Sequence, residues 1–114
     1  MKKSVIFFFL LLNTVVFSQD PDQTGYGKTN SKGQKIGFWT YNWKIGGKFI
    51  AAKGLYTKGE KEGKWIYYAQ PYNLRKTKEG SYVLGKKQGE WLEYYSSGEL
   101  HKKESYSNGE KAGL

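Results

Sequence analysis

Two kinds of residue in this 114-residue chain have types and spacings suited to chemistry: carboxylates in close pairs, and lysines interleaved with aromatic rings. Glu60 with Glu62, and Glu90 with Glu93, are the candidate acid–base pairs. Glycoside-type hydrolysis needs two carboxyls held at a set separation in a cleft. These four lie among lysines in segments that read as turns and strands, so they read as solvated charge. A small envelope-polymer hydrolase built on them is the least favoured class. His101 is the only histidine and there is no cysteine. Zinc takes three or four Cys, His or carboxylate ligands, and a nucleophilic triad needs a base beside its nucleophile. No catalytic residue, metal site or cofactor is expected. Gly80-Ser81-Tyr82-Val83-Leu84-Gly85-Lys86-Lys87 nearly spells a phosphate loop, but Lys87 stands where Ser or Thr would hold magnesium. The same glycine spacing recurs at Gly54 and Gly59, followed by Glu60, which no phosphate cradle would repeat.

The lysines carry more weight. Lys58, Lys61, Lys64, Lys86 and Lys87 gather near successive turns, and Lys76, Lys78, Lys102 and Lys103 fall on return strands. Units stacked in register would align lysines on every second strand as a ladder. Tyr67, Tyr72 and Tyr95 are candidates for exposed rings that stack on sugars or anchor a protein. The candidate surface contacts are Lys61, Lys64, Tyr72, Lys86, Lys87, Lys102 and Lys103. Arg75 is the only arginine. Phosphate and nucleic-acid recognition favours arginine forks, so nucleic acid is not an expected partner. A protein partner is the first expectation, and an anionic polymer or lipid headgroup the second.

These residues sit in a repeat. Gly-x-Trp signatures start at Gly37, Gly63 and Gly89, a period of 26 residues, with Trp39, Trp65 and Trp91 at their ends. Tyr56 and Tyr82, and Gly54 and Gly80, keep the same spacing. A fourth unit begins at Tyr106-Ser107-Asn108-Gly109. A period of this size marks an array in which each unit is one supersecondary element. Aromatics and Thr in short runs between Gly-rich turns favour strands. Six are expected, as an antiparallel meander: 38–43, 48–56, 65–69, 75–83, 91–95 and 100–106. No helix is expected after residue 18. Gly59, Gly85 and Gly109 are assigned to tight turns, and Gly98 to the turn after the fifth strand. Gly37, Gly63 and Gly89 are expected to leave room for a neighbouring indole. Alternation is imperfect around Trp91 to Tyr95, which leaves two readings: a bulge that resets the phase, or a sheet covered on both faces. Gln70 to Asn73, with Pro71, reads as an inserted loop. The next tryptophan falls due at position 115, so residues 107–114 are expected to be without order.

The flanking segments divide the chain further. Lys2, Lys3 and the apolar run from Val5 to Val16 read as a signal peptide over 1–18, cleaved after Ser18. The run is too short to span a bilayer. Export to the periplasm or medium follows, with no membrane span in the mature chain. Without Lys2 and Lys3 the balance is 17 basic to 10 acidic residues, net +7. Residues 19–33 read as a flexible leader, and 34–114 as the repeat domain, with units near 34–58, 59–84 and 85–108 and a partial unit at 109–114.

The motif Gly-x-Lys-x-Gly-x-Trp-x-x-Tyr resembles the bacterial variant of the MORN repeat. Gly59, Lys61, Gly63, Trp65 and Tyr68 carry it, then Gly85, Lys87, Gly89, Trp91 and Tyr94, with Gly98 and Leu100 following. The first copy departs, with Lys35 and Ile36 before Gly37 and Asn42 where Tyr is expected. The resemblance spans about Gln34 to Gly113. It implies an all-β fold of hairpins side by side in one elongated antiparallel sheet, and contacts with proteins or acidic lipids in place of catalysis. Such repeats also occur in bacterial proteins labelled as antitoxins.

Overall fold

The computed structural model describes residues 22–44, 49–69 and 75–112. They form one open antiparallel sheet of eight strands in sequential order, elongated and free of helix among the described residues. The strands are β1 (Gln23–Thr29), β2 (Lys35–Trp43), β3 (Ile50–Thr57), β4 (Glu60–Tyr68), β5 (Lys76–Val83), β6 (Lys86–Tyr94), β7 (Leu100–Ser107) and β8 (Glu110–Lys111).

The sequence expectation of a meander holds, and the strand count rises from six to eight. The leader assigned to 19–33 is corrected over Gln23–Thr29, which pairs with β2. Its glycines had read as mobility, whereas they lie against rings: a Cβ on Gly27 would stand 2.3 Å from the Trp39 indole. The order lost after Tyr106 is also corrected. β7 runs to Ser107, and Glu110 and Lys111 pair back with Ser107 and Tyr106. The signal segment, the Gln70 to Asn73 loop and Tyr72 lie outside the described residues.

Three hairpins turn on two residues each: Lys58-Gly59, Leu84-Gly85 and Asn108-Gly109. Both residues of each pair have positive φ, for example 57° and 90° at Asn108 and Gly109. That is the mirror-image turn whose twist suits antiparallel strands. The strands therefore start directly after the glycine, and Glu60–Lys64 belongs to β4 and not to a turn.

The Gly-x-Trp signature is a bulge. Across β3 and β4, Lys53 faces Ile66 and Leu55 faces Glu62, so Gly54 alone opposes Gly63, Lys64 and Trp65. Gly27 opposes residues 37–39 and Gly80 opposes 89–91 in the same way. Gly63 takes φ +70° with nothing within 4 Å of a would-be Cβ. The expectation that Gly37, Gly63 and Gly89 clear space for an indole is thereby corrected. They bend the strand, which suits a residue without a Cβ. The seats are Gly27, Gly54 and Gly80, each beneath the tryptophan of the following strand.

Each seated indole also satisfies its N–H locally. Trp65 Nε1 donates to the Leu55 carbonyl at 2.9 Å, Trp39 Nε1 to Lys28 at 2.9 Å and Trp91 Nε1 to Ser81 at 3.1 Å. The core is one layer of rings on one face of the sheet. Trp65 is fully buried and Trp39, Tyr41, Ala52 and Tyr56 are buried with it. Rings alternate edge to face along the sheet: Trp39, Tyr56, Trp65, Tyr82, Trp91 and Tyr106, with centroids 5.1 to 6.4 Å apart. Such pairs add about 0.5–1.5 kcal/mol each beyond burial.

Candidate functional site

On this ring layer lie lysines. Lys35, Lys61 and Lys87 start β2, near the start of β4, and near the start of β6, each four residues before its tryptophan. Four residues along a strand returns a side chain to the same face. The ammonium of Lys61 stands 4.8 Å from the Trp65 ring, 5.1 Å from Tyr82 and 5.4 Å from Tyr67. Lys35 lies over Trp39, Tyr41 and Tyr56, and Lys87 over Trp91 and Tyr106. Lys78 of β5 joins them over Tyr67. Strand spacing places the three ladder lysines about 10 Å apart, one on every second strand. Lys35 thus takes in the first unit the place that Lys61 and Lys87 take in the second and third.

Lys61 is the centre of this row. Its Nζ donates to the Tyr67 hydroxyl at 3.0 Å, and the Tyr67 and Tyr82 hydroxyls bond each other at 2.8 Å. Burial pushes its amine down to about 8, with the charges of Lys78, Lys35 and Lys87 acting in the same direction. Burial also lowers Lys87, again with Lys78 beside it. Burial raises the Tyr56, Tyr67 and Tyr82 phenols, so all three stay protonated at neutral pH. Among the described residues, Lys35, Lys61, Lys78 and Lys87 make no ion pair. Lys61 lines a shallow groove of about 490 Å³ between two hairpin turns, together with Tyr56, Glu60, Tyr82, Leu84 and Lys86 among others.

The other predicted contact residues divide between faces. Lys64 pairs with Glu79 at 3.3 Å on the opposite face, where Lys76 also reaches Glu79 at 3.0 Å and Tyr94 donates to it. Glu79 is 6% exposed. Burial works to raise its carboxyl, but the bonds from Tyr94, Lys76 and Lys64 outweigh that and hold it below the usual range. Lys103 reaches Glu90 at 3.9 Å, Lys102 stands opposite Glu93, and Lys86 backs the Gly109 turn. Tyr68 and Tyr94 carry the motif, yet they leave the ring layer and take Lys53 and Lys76 over their rings. Tyr67 packs half-buried in the layer and is no free ring, whereas Tyr95 is exposed and lies 4.2 Å from His101.

The carboxylates do not converge. Glu62 accepts from the Leu84 N–H, Glu90 meets Lys103, and Glu93 faces Lys78 and Lys102. Among the described residues no group of three or more His, Cys, Asp or Glu gathers as metal ligands would. Sequence reasoning missed Lys35 and Glu79. The 26-residue spacing of Lys35, Lys61 and Lys87 was a usable signal for the first. Glu79 had none, being one more acid in a lysine-rich strand. No family model matches the chain, and no curated protein matches it.

Proposed function

We propose that this chain is an exported, non-catalytic binding module, MORN-like in its repeat, that works by surface contact at the cell envelope. Its working surface is the ring layer crossed by Lys35, Lys61 and Lys87, and its partner there is an anionic envelope polymer. One observation carries the reading. Three lysines recur every 26 residues, are held over rings at 4.7–5.2 Å from their tryptophans, and make no ion pair among the described residues, although Glu93 and Glu104 act on Lys87 from a distance. Lysines kept only for solubility need no such placement. Desolvation and mutual repulsion make this row unfavourable until an anion relieves it. A regular polyanion laid across the strands meets one cation about every 10 Å.

A protein partner is the second reading, and a different feature favours it. Phe38 and Leu55 pair across β2 and β3 and are 58% and 47% exposed. Side-by-side exposed apolar residues suit a protein contact.

A pull-down from envelope fractions, at low and at physiological salt, separates the two. Retention of polymer that falls with salt and is lost in a Lys35/Lys61/Lys87→Met triple variant supports the ladder. The Debye length is about 8 Å at physiological salt, so a row of surface charges is strongly screened. A protein retained at high salt, lost on Phe38→Ser and indifferent to the triple variant, supports the second reading. Polymer retention unchanged in the triple variant would refute the first.

A further inference from the structure

We propose that Lys61 is a site of reversible carbamate formation, its side-chain amine taking up dissolved CO2 within the cage of Trp65, Tyr67 and Tyr82. The inference stands apart from the identity of any docked partner. Carbamate formation makes three demands on a site: an amine free of its proton, access for a small uncharged reactant, and stabilisation of the anion produced.

The cage meets the first demand. Three rings take the place of water around Nζ, and like charges face it from three strands: Lys35 on β2, Lys78 on β5 and Lys87 on β6. The Tyr56, Tyr67 and Tyr82 phenols beside it are raised by burial and carry no charge to hold the ammonium, and Glu60 and Lys86, which line the same groove, make no ion pair with it. Glu93 of β6 lies across from Lys78 and makes no bond to Lys61. An amine near 8 has a free fraction at neutral pH about two orders of magnitude above that of an ordinary lysine. The groove between the Lys58-Gly59 and Leu84-Gly85 turns meets the second demand.

The third demand is where this lysine differs from an ordinary buried one. The Nζ lone pair attacks the carbon of CO2, an N–C bond forms, and one C–O π bond becomes a carboxylate oxygen. The nitrogen's proton passes to water, and nothing is oxidised or reduced. The product replaces a cation with an anion among three other lysines. Lys35, Lys78 and Lys87, which opposed the ammonium, then attract the carbamate. The Tyr67 hydroxyl, 3.0 Å from Nζ, is protonated and able to donate to it.

The test equilibrates the full chain with 13C-labelled bicarbonate near pH 8. A trialkyloxonium salt then alkylates the carbamates in place, and peptides are mapped by mass spectrometry. Labelling of Lys61 at about tenfold or more above any exposed lysine is expected. Lys78→Met should lower that labelling several-fold, because Lys78 both frees the amine and holds the product. Methionine there fills the same site without charge. Label spread evenly over the lysines, label confined to the α-amino group, or Lys61 labelling unchanged in Lys78→Met would overturn the proposal.

Discussion

Gly54→Ala places one methyl group where the Trp65 indole lies. The added Cβ would stand 2.3 Å from Cδ2 and Cε2 and 2.5 Å from Cγ of that ring. These atoms are the middle of a rigid indole, so the ring must move as a whole. It cannot move freely, since Trp65 is fully buried between Tyr56 and Tyr82. Overpacking of this kind costs about 1–3 kcal/mol. Displacing the ring also stretches the bond from Nε1 to the Leu55 carbonyl, worth about 1 kcal/mol. Against these stands the entropy alanine saves in the unfolded chain, about 0.4–1 kcal/mol. The net expectation is a loss of about 2–3 kcal/mol, or roughly 10–20 °C in Tm for a domain of this size. Urea unfolding followed by tryptophan fluorescence and near-UV circular dichroism measures both the loss and the altered ring environment. Gly63→Ala is the comparison. It meets no atom within 4 Å but sits at φ +70°, so it should cost about 1–2 kcal/mol and leave the indole signals alone. Trp65→Leu in the Gly54→Ala background should show coupling, because leucine vacates part of the contested volume. A Gly54→Ala chain as stable as the parent, with unchanged near-UV signals, would refute the seat.

Stability should rise with pH from about 7 toward 10, because the lowered Lys61 amine lets the unfolded chain bind the extra proton through that window. Above it stability should fall, since the buried phenols of Tyr56, Tyr67 and Tyr82 ionise more readily when unfolded. Lys61→Met should reduce the rising limb in a pH series of thermal melts to the share left by the lowered Lys87 amine, and a limb of unchanged height would assign it elsewhere. Glu79→Gln should destabilise by about 1–3 kcal/mol by weakening the contacts from Lys64, Lys76 and Tyr94. The parent's own share from this carboxylate, full at neutral pH, should be lost as acid protonates it below its ordinary range, and the variant should lack that acid transition in denaturant titrations. An added unit bearing a tryptophan at position 115 should not stabilise the parent, because Glu104, bonded to Lys111 at 2.9 Å, fills the place that Gly54 and Gly80 hold in earlier units. The same addition on Glu104→Gly should raise Tm, and equal gains in both backgrounds would show that the seat is dispensable.

The repeat period, the all-β meander and the tight turns were legible in the sequence because they depend on local chemistry. Asn108-Gly109 and the Gly-x-Trp spacing act over a few residues, and the two-residue turn follows from what those residues permit. The lysine row carried a 26-residue interval in the sequence, but Lys35 was missed, and only strand pairing and the ring layer separate Lys35, Lys61 and Lys87 from the other lysines. What sequence alone did not decide was which glycine serves which indole. Gly63 precedes Trp65 in the chain, but the ring crosses to Gly54 because the bulge at Gly63 turns it over the preceding strand. For the same reason residues 23–29 looked like a tail: only the indole of Trp39, arriving from the next strand, gives Gly27 its role. Glu79 and Glu104 are ordinary acids in sequence, and they gain distinct roles only from the strands beside them. Local propensity set the elements; cross-strand register, a relation between residues some 10 to 25 positions apart, set the site.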